Sequence, residues 1–473
     1  MSWMIEGTLL WSALIWLYSR KLNWVRMSSF LLIITNCIAY AVVFQCGAYF
    51  EAQSAIVSLV TSSRVYYWDN LTAVMSALNL FATVLTACYQ LYHMNEETSD
   101  QVGLLWMTFS CVQGIFCCQH AILFYVFFEL SIIPLCLWLL HFPTKEAAFT
   151  TKQFVLYTCL GSSFLLIGLV ICYLGINGES WIFKNLAKAL VPGALTPFLS
   201  FCFLIPFLIK LPLWPVHGWL PLAHTQAPTE GSVILASVVL KVGGYGLLRI
   251  IPLMGSNIAQ IWSPTLIILG LISLLTMSLS AYKQTDWKRL IAYSSIVHMA
   301  WVVIGIGLLI GHSSISNIVY KGIVFQMISH GLISIALFFI VGMLSHRTNT
   351  REISAYRGMA KVIPTFTKYI TFFMLANAAL PGTSGFVGEF MILQGLYQYS
   401  QVLAFIACLS LVTSMLFNLQ YFIPFLHDDP SQERQHCGIA DCQKSEHRVL
   451  APLALGILYL GVFPQGFFSF FTL

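Results

Sequence analysis

The chain reads as an all-α, polytopic membrane protein of about fourteen transmembrane helices, with two inverted five-helix repeats that each contain one broken helix. Three observations predict this. Hydrophobic residues make up 58% of the 473-residue sequence against 9% charged, with a mean hydropathy of +0.81, a balance foreign to water-soluble chains of this length. Apolar runs of about 17–25 residues recur between short polar interruptions, the length an α-helix needs to cross a hydrocarbon core of about 30 Å, whereas a β-barrel would show shorter, alternating segments. Two further runs, 195–225 and 363–396, are too long for one straight helix and carry proline or glycine inside.

Charge, glycine and proline bound the runs in chain order. Spans near 5–19, 27–50 and 70–93 form a first part, residues 1–101. Glu6 precedes the first apolar run and no small-residue cleavage signature follows it, so this segment reads as a retained helix and not a signal peptide. Residues 102–251 hold the first repeat: 102–119 and 120–141, divided only by Gln119 and His120, then 153–175, the overlong 195–225, and 230–250. Residues 252–426 hold the second: 258–282, 290–311, 318–345, the overlong 363–396, and 401–426. Each repeat has its interrupted span in fourth place, and an odd number of spans per unit forces the two to be inverted. Residues 427–473 supply a polar loop and a last span near 449–470.

Lys and Arg concentrate in loops after odd-numbered spans, among them Lys145, Lys152, Lys283, Lys288, Arg289, Arg347 and Arg351. The positive-inside rule then turns both termini away from the cytoplasm or matrix. The net charge of +5 forms no aromatic-interleaved basic patch, which argues against a nucleic-acid partner. Most of the thirteen cysteines lie in apolar runs (Cys37, Cys46, Cys88, Cys111, Cys172, Cys202, Cys408), where cysteine serves as a small buried hydrophobe, and no CxxC is present to hold an iron–sulfur cluster. His436, Cys437, Cys442 and His447 superficially resemble zinc ligands, but their spacing fits no standard pattern and the segment reads as a solvated loop.

The chemistry gathers around the stretch Phe207–Ile250, FLIKLPLWPVHGWLPLAHTQAPTEGSVILASVVLKVGGYGLLRI. Lys210 and Lys241 stand in apolar runs, and prolines at 212, 215, 221 and 228 interrupt the helix. A lysine at the bilayer centre costs about 2.5–3.5 kcal/mol, and proline removes a donor that hydrocarbon cannot replace. A hydrated, protein-lined interior offsets both costs, and paired interrupted spans are the sequence mark of a transport site. Glu129, in AILFYVFFELSIIPLCLWLL, reads as a carboxylate paired with Lys210, against the plainer reading of snorkelling at a helix end. Lys241 stands near mid-membrane before the permissive pair Gly243 and Gly244. His298 (AYSSIVHMAWVVIGI) and His330 (FQMISHGLISIALFF) extend the polar set, because imidazole titrates near physiological pH. Either alone would more often be a structural hydrogen-bonding residue. Glu389, beside the second break, closes the set, and His217 and His224 read as structural or loop-coupling residues.

Tens of positions in order resemble the antiporter-like membrane subunits of the proton-pumping NADH:ubiquinone oxidoreductase, respiratory complex I. The likeness covers roughly residues 69–470 and is densest in PVHGWLPLAHTQAPTEGSVILASVVLKVGGYGLLR, LIAYSSIVHMAWVVIGI, FQMISHGLISIALFF and GFVGEFMIL. It implies fourteen helices and a hydrated proton axis whose members map onto Glu129, Lys210, Lys241, His298, His330 and Glu389, with His217, His224 and Lys321 as accessories. Glu389 stands where related subunits commonly carry lysine, and the length leaves no room for the lateral C-terminal helix of the largest paralogue. Glu230, where relatives have a small or apolar residue, and Lys321, at the entrance to the eleventh span, depart from the family pattern. The resemblance further implies a place in the mitochondrial inner membrane, with the bacterial plasma membrane as the alternative. Its partners would be other membrane-arm subunits of complex I, including paralogous antiporter-like ones, together with membrane lipids and protons. No motif in the chain answers to NADH, FMN, iron–sulfur clusters or ubiquinone, so redox chemistry is expected in partner subunits. A stand-alone multi-subunit cation/proton antiporter would use the same helices and lysines.

Overall fold

The computed structural model describes residues 3–18, 21–45, 50–52, 65–93, 98–141, 144–178, 180–186, 195–250, 256–312, 315–428 and 440–469. Cys46, His436 and Cys437, singled out above, lie outside the described residues. The all-α expectation holds: among the described residues nine helices are long and apolar enough to cross a membrane, and the single strand pair, β1 (Phe50–Ala52) and β2 (Tyr66–Trp68), has three residues in each strand.

In chain order the helices are α1 (Thr8–Leu17), α2 (Leu22–Gln45), α3 (Asn70–His93), α4 (Asp100–Cys117), α5 (Ala121–Leu130), α6 (Ile132–Leu139), α7 (Lys145–Gly175), α8 (Phe183–Leu186) and α9 (Thr196–Lys210). Then come α10 (Trp219–Gln226), α11 (Thr229–Ile234), α12 (Leu240–Ile250), α13 (Ser256–Tyr282), α14 (Trp287–Gly311) and α15 (Ser316–Thr348). The series ends with α16 (Pro364–Asn377), α17 (Ser384–Tyr399), α18 (Gln401–His427), α19 (Lys444–Val462) and α20 (Pro464–Phe468). Local chemistry sets many of these ends. Thr144 caps α7 by accepting from Ala147 N, which is why α7 runs eight residues ahead of the span expected at 153–175. Asp286 caps α14, Ser400 caps α18, and Gln443 with Glu446 forms a capping box on α19. Between α5 and α6 the helix slackens at Ser131, because Pro134 has no N–H for the carbonyl of Leu130.

The helices gather into two compact units, Met1–Lys210 with Val238–Ala259, and Leu211–Ser237 with Gln260–Leu473. Compactness groups residues by contact and a repeat groups them by topology, so these units interleave along the chain where the expected repeats would follow one another.

In the first unit α4 is central, packed by α1, α3, α5 and α6, while α9 packs between α7 and α12. Gly246 of α12 lies directly against the Phe207 ring, and a Cβ there would collide with it. The two ends of the unit's chain are tied by Arg249, whose guanidinium grips both Asp69 oxygens at 2.5 and 2.6 Å and donates to Thr72 Oγ1 at 2.8 Å. Burial pushes the Asp69 carboxyl up, but the Arg249 and Thr72 donors outweigh it and hold it below the ordinary carboxylate range.

The second unit is built on α14, α15 and α17, with α10 against α14, α11 against α15, and α16 and α19 beside α15. The most apolar window of α15 is wholly buried within the protein, against a third of that of α18, so α15 is the axial helix and α18 a peripheral one. Gly388 and Gly385 let α17 approach closely: a Cβ on the first would overlap Gln326, and on the second the Ala376 carbonyl. At one end Arg347 pairs with buried Glu446 at 2.5 Å, and Asp441 accepts from Thr365 N and Phe366 N, both at 2.9 Å, to start α16.

Candidate functional site

Each unit carries a cluster of buried ionisable or polar side chains at a helix interruption. In the first unit α9 stops at Lys210, because Pro212 and Pro215 cannot supply the next turn's donors. The Lys210 side chain is 1% exposed, and its Nζ lies 5.1 Å from the centroid of the Phe128 ring, with no protein hydrogen-bond partner. Glu129 is the residue next to Phe128 on α5, half-buried, with Tyr125 one turn earlier as a hydrogen-bonding neighbour. The expected Glu129–Lys210 pair is not a contact ion pair: Glu129 Oε1 and Lys210 Nζ each lack a hydrogen-bond partner. The aromatic ring beside Glu129 takes the place the carboxylate was expected to fill.

Lys241 is fully buried on α12. It follows a π-helical turn, Leu235–Val239, which widens the helix ahead of the lysine. No residue in the sequence marks this turn.

In the second unit the interruption between α16 and α17 comes from Ala379 and Gly382, both at positive φ, flanking Pro381. It brings together three of the expected residues. His298 Nδ1 lies 2.6 Å from Glu389 Oε1, and the rings of His298 and His330 are 5.5 Å apart. All three are at most 4% exposed. Sequence reasoning missed the residues that complete this cluster. Gln326 donates to Glu389 Oε1 at 3.0 Å, Asn377 Oδ1 lies 3.2 Å from His298 Nε2, and Asn377 Nδ2 donates to Ser294 Oγ at 2.9 Å and to Asn418 Oδ1 at 3.0 Å. Buried amides in apolar runs were the available signal.

The accessory residues do not join that cluster. Lys321 is half-buried near the start of α15, nine residues before His330. His217 is half-buried in the break after Lys210, and His224 is fully buried on α10, stacked on Phe338 with ring centroids 4.4 Å apart. Lys288, assigned from the sequence to a loop, is 4% exposed and donates to the Ala227 carbonyl at 2.6 Å, while Arg351 donates to that of Thr225 at 2.5 Å. Two cations thus hold the carbonyl end of α10. His447 meets the Tyr369 hydroxyl at 2.6 Å, and burial pushes the Cys442 thiol up to about 11.

Buried lysines, a histidine bonded to a glutamate and broken helices can accept, hold and pass protons; among the described residues no group of three His, Cys, Asp or Glu side chains could hold a metal ion. A family profile described as NADH:quinone oxidoreductase/Mrp antiporter, TM, matches residues 118–416. The chain is 36% identical to NADH-quinone oxidoreductase subunit M of Rickettsia felis over 407 residues, covering 86% of this chain and 81% of that protein. It is 30% identical to NADH-ubiquinone oxidoreductase chain 4 of Marchantia polymorpha over 469 residues, covering 98% and 89%. In three dimensions it is similar to a chain of respiratory complex I from Thermus thermophilus, with a TM-score of 0.86, 25% identity, and coverage of 99% and 97%.

Proposed function

The chain belongs to the family of NADH:quinone oxidoreductase and Mrp antiporter membrane subunits, and we propose that half-buried Glu129 and buried Lys210, Lys241, His298, His330 and Glu389 form a proton path driven by electron transfer elsewhere in the complex. It is an antiporter-like, multi-pass membrane subunit of NADH:quinone oxidoreductase, as its relatives are. The observation that carries the proton path is burial without full charge compensation. Lys210 is 1% exposed with no hydrogen-bond partner on the protein, and Glu389 is 3% exposed with a histidine 2.6 Å away. Charges so placed are costly unless water reaches them or a proton leaves.

NADH, FMN, the iron–sulfur clusters and ubiquinone belong to partner subunits on this reading, and this chain takes no part in the redox chemistry. Its partners are the other membrane-arm subunits, paralogous antiporter-like ones among them, with lipid around the outer helices. The mitochondrial inner membrane is its proposed site, and the bacterial plasma membrane is the alternative. The two inverted repeats, 102–251 and 252–426, are the proposed frame of the path. Each proton moves against about 2.3 kcal/mol per 100 mV, which only an outside energy source supplies.

The test is NADH-driven acidification of vesicles carrying the assembled complex, normalised to quinone reduction. Neutralising Lys241 is expected to abolish most acidification assigned to this subunit. Unchanged pumping with several of the six residues neutralised would leave the chain as a structural spacer. Ion transport by a preparation without redox subunits would favour the stand-alone antiporter.

A further inference from the structure

We infer that Asn377, oriented by Asn418, is a positioning residue that fixes a hydrogen on His298 Nε2 and leaves the Nδ1–Glu389 bond as the place where His298 exchanges its proton. The inference rests on the proton-path reading above. It follows from a chain of hydrogen bonds that can run in only one direction. Asn418 lies on α18, and its amide is 2.8 Å from the carbonyl of Ser414. A carbonyl only accepts, so Asn418 turns its Nδ2 to Ser414 and its Oδ1 to Asn377. Asn377 must then present Nδ2, whose two hydrogens go to Asn418 Oδ1 at 3.0 Å and Ser294 Oγ at 2.9 Å. Its Oδ1 then faces His298 Nε2 at 3.2 Å, with the Ser294 hydroxyl also 3.1 Å from it as a donor. An amide oxygen cannot donate, so Nε2 carries the hydrogen.

One ring nitrogen remains. Nδ1 lies 2.6 Å from Glu389 Oε1, which also accepts from Gln326 at 3.0 Å. A single proton is shared there: it leaves Glu389 Oε1 for Nδ1, breaking an O–H bond and forming an N–H bond, and carboxylate then faces imidazolium. The return step reverses both, and no electrons change hands. Passage through the ring would require Nε2 to give up its hydrogen toward an oxygen that is already oriented as an acceptor by two other bonds. His298 therefore takes and returns its proton on one side, acting as a charge store for Glu389 and not as a through-relay. The far end of the chain is no conduit either. Asn418 abuts a cavity of about 240 Å³ whose other lining residues are apolar, Met374, Leu375, Leu411, Met415 and Phe422 among them.

Asp and Leu replacements at the two asparagines separate this role from packing. Neutral Asp at 377 can donate to Asn418 and accept from His298, and Asp at 418 can accept from Asn377; Leu at either position matches the shape and carries no polarity. Acidification per quinone reduced, in vesicles of assembled complex, is expected to fall about tenfold in Asn377→Leu and Asn418→Leu, with most of the loss recovered in Asn377→Asp and Asn418→Asp. A packing role reverses that order, because an apolar isostere suits the interior and a carboxyl is costly there. Wild-type pumping in either Leu variant overturns the inference. If neither Leu variant assembles, Asn377→Ser, whose hydroxyl has one hydrogen for its partners, takes their place in the same comparison, and wild-type pumping there overturns it. His298→Leu separates the two readings: its normal pumping takes His298 out of the proton path and the inference with it, whereas its failure beside a normal Asn377→Leu defeats only the positioning role.

Discussion

The first unit leaves a buried ammonium without directional partners, and the second holds His298 and Glu389 in hydrogen bonds. Lys210 ends at an interrupted helix with its Nζ 5.1 Å from the centroid of the Phe128 ring and no hydrogen-bond partner. His298 and Glu389 also sit by an interrupted helix, yet Gln326, Asn377, Ser294 and Asn418 fix their geometry. An ammonium held by a ring quadrupole and desolvated surroundings can lose its proton or turn toward water without breaking a hydrogen bond. A hydrogen-bonded network resists both, since each broken bond leaves a further buried group unpaired. The same interruption device therefore leaves a buried charge without a directional partner in one unit and a hydrogen-bonded pair in the other.

The largest expected effect lies at the other buried lysine of the first unit, Lys241. Lys241→Arg keeps the charge and most of the stem, but guanidinium with a pKa above about 12 does not deprotonate. The variant should assemble and lose most of its acidification, with coupled quinone reduction falling alongside. Near-normal pumping would make Lys241 a fixed charge.

Next comes the hydrogen-bonded pair. Glu389→Gln preserves shape and removes the carboxylate that faces His298 Nδ1. Pumping per quinone reduced should drop by about tenfold or more, while Glu389→Asp retains part of it. Equal activity in Gln and Asp variants would show that charge at this position is dispensable.

The contact gap at Glu129 and Lys210 predicts a smaller effect. A double-mutant cycle of Glu129→Gln with Lys210→Met, read as assembled complex, should give a coupling of about 1 kcal/mol, less than the 3–5 kcal/mol of a broken buried ion pair. A coupling at the upper figure would mean that the two side chains meet in a state other than this one, and strict additivity that they do not interact.

The smallest effect lies outside the spans. Burial pushes Asp441 up, but the backbone donors of Phe366, Thr365 and Cys442 hold its carboxyl below the ordinary range. Its folded pKa is thus depressed, so its contribution is complete above the unfolded value of about 3.9 and is lost as pH falls through the folded value. Asp441→Asn should lower the unfolding temperature of the complex by a few degrees at neutral pH, with the difference shrinking in acid. A deficit independent of pH would assign the effect to packing.

Much of this was legible in the sequence, for a physical reason. Crossing hydrocarbon demands helices of a set length and apolar composition, so composition and run length determined the class, and proline and glycine determined where the two long runs break. The cost of charge in a bilayer likewise made Lys210, Lys241, Glu129 and Glu389 stand out as single letters. Which of them touch was not legible. Direction and distance between side chains depend on helix rotation and close approach, as at Gly388 against Gln326. Sequence order carries no such angles. Tertiary structure alone therefore put Phe128 and not Glu129 against Lys210, introduced a π turn before Lys241, buried Lys288 from an expected loop, and drew two plain asparagines into the bonds that hold His298.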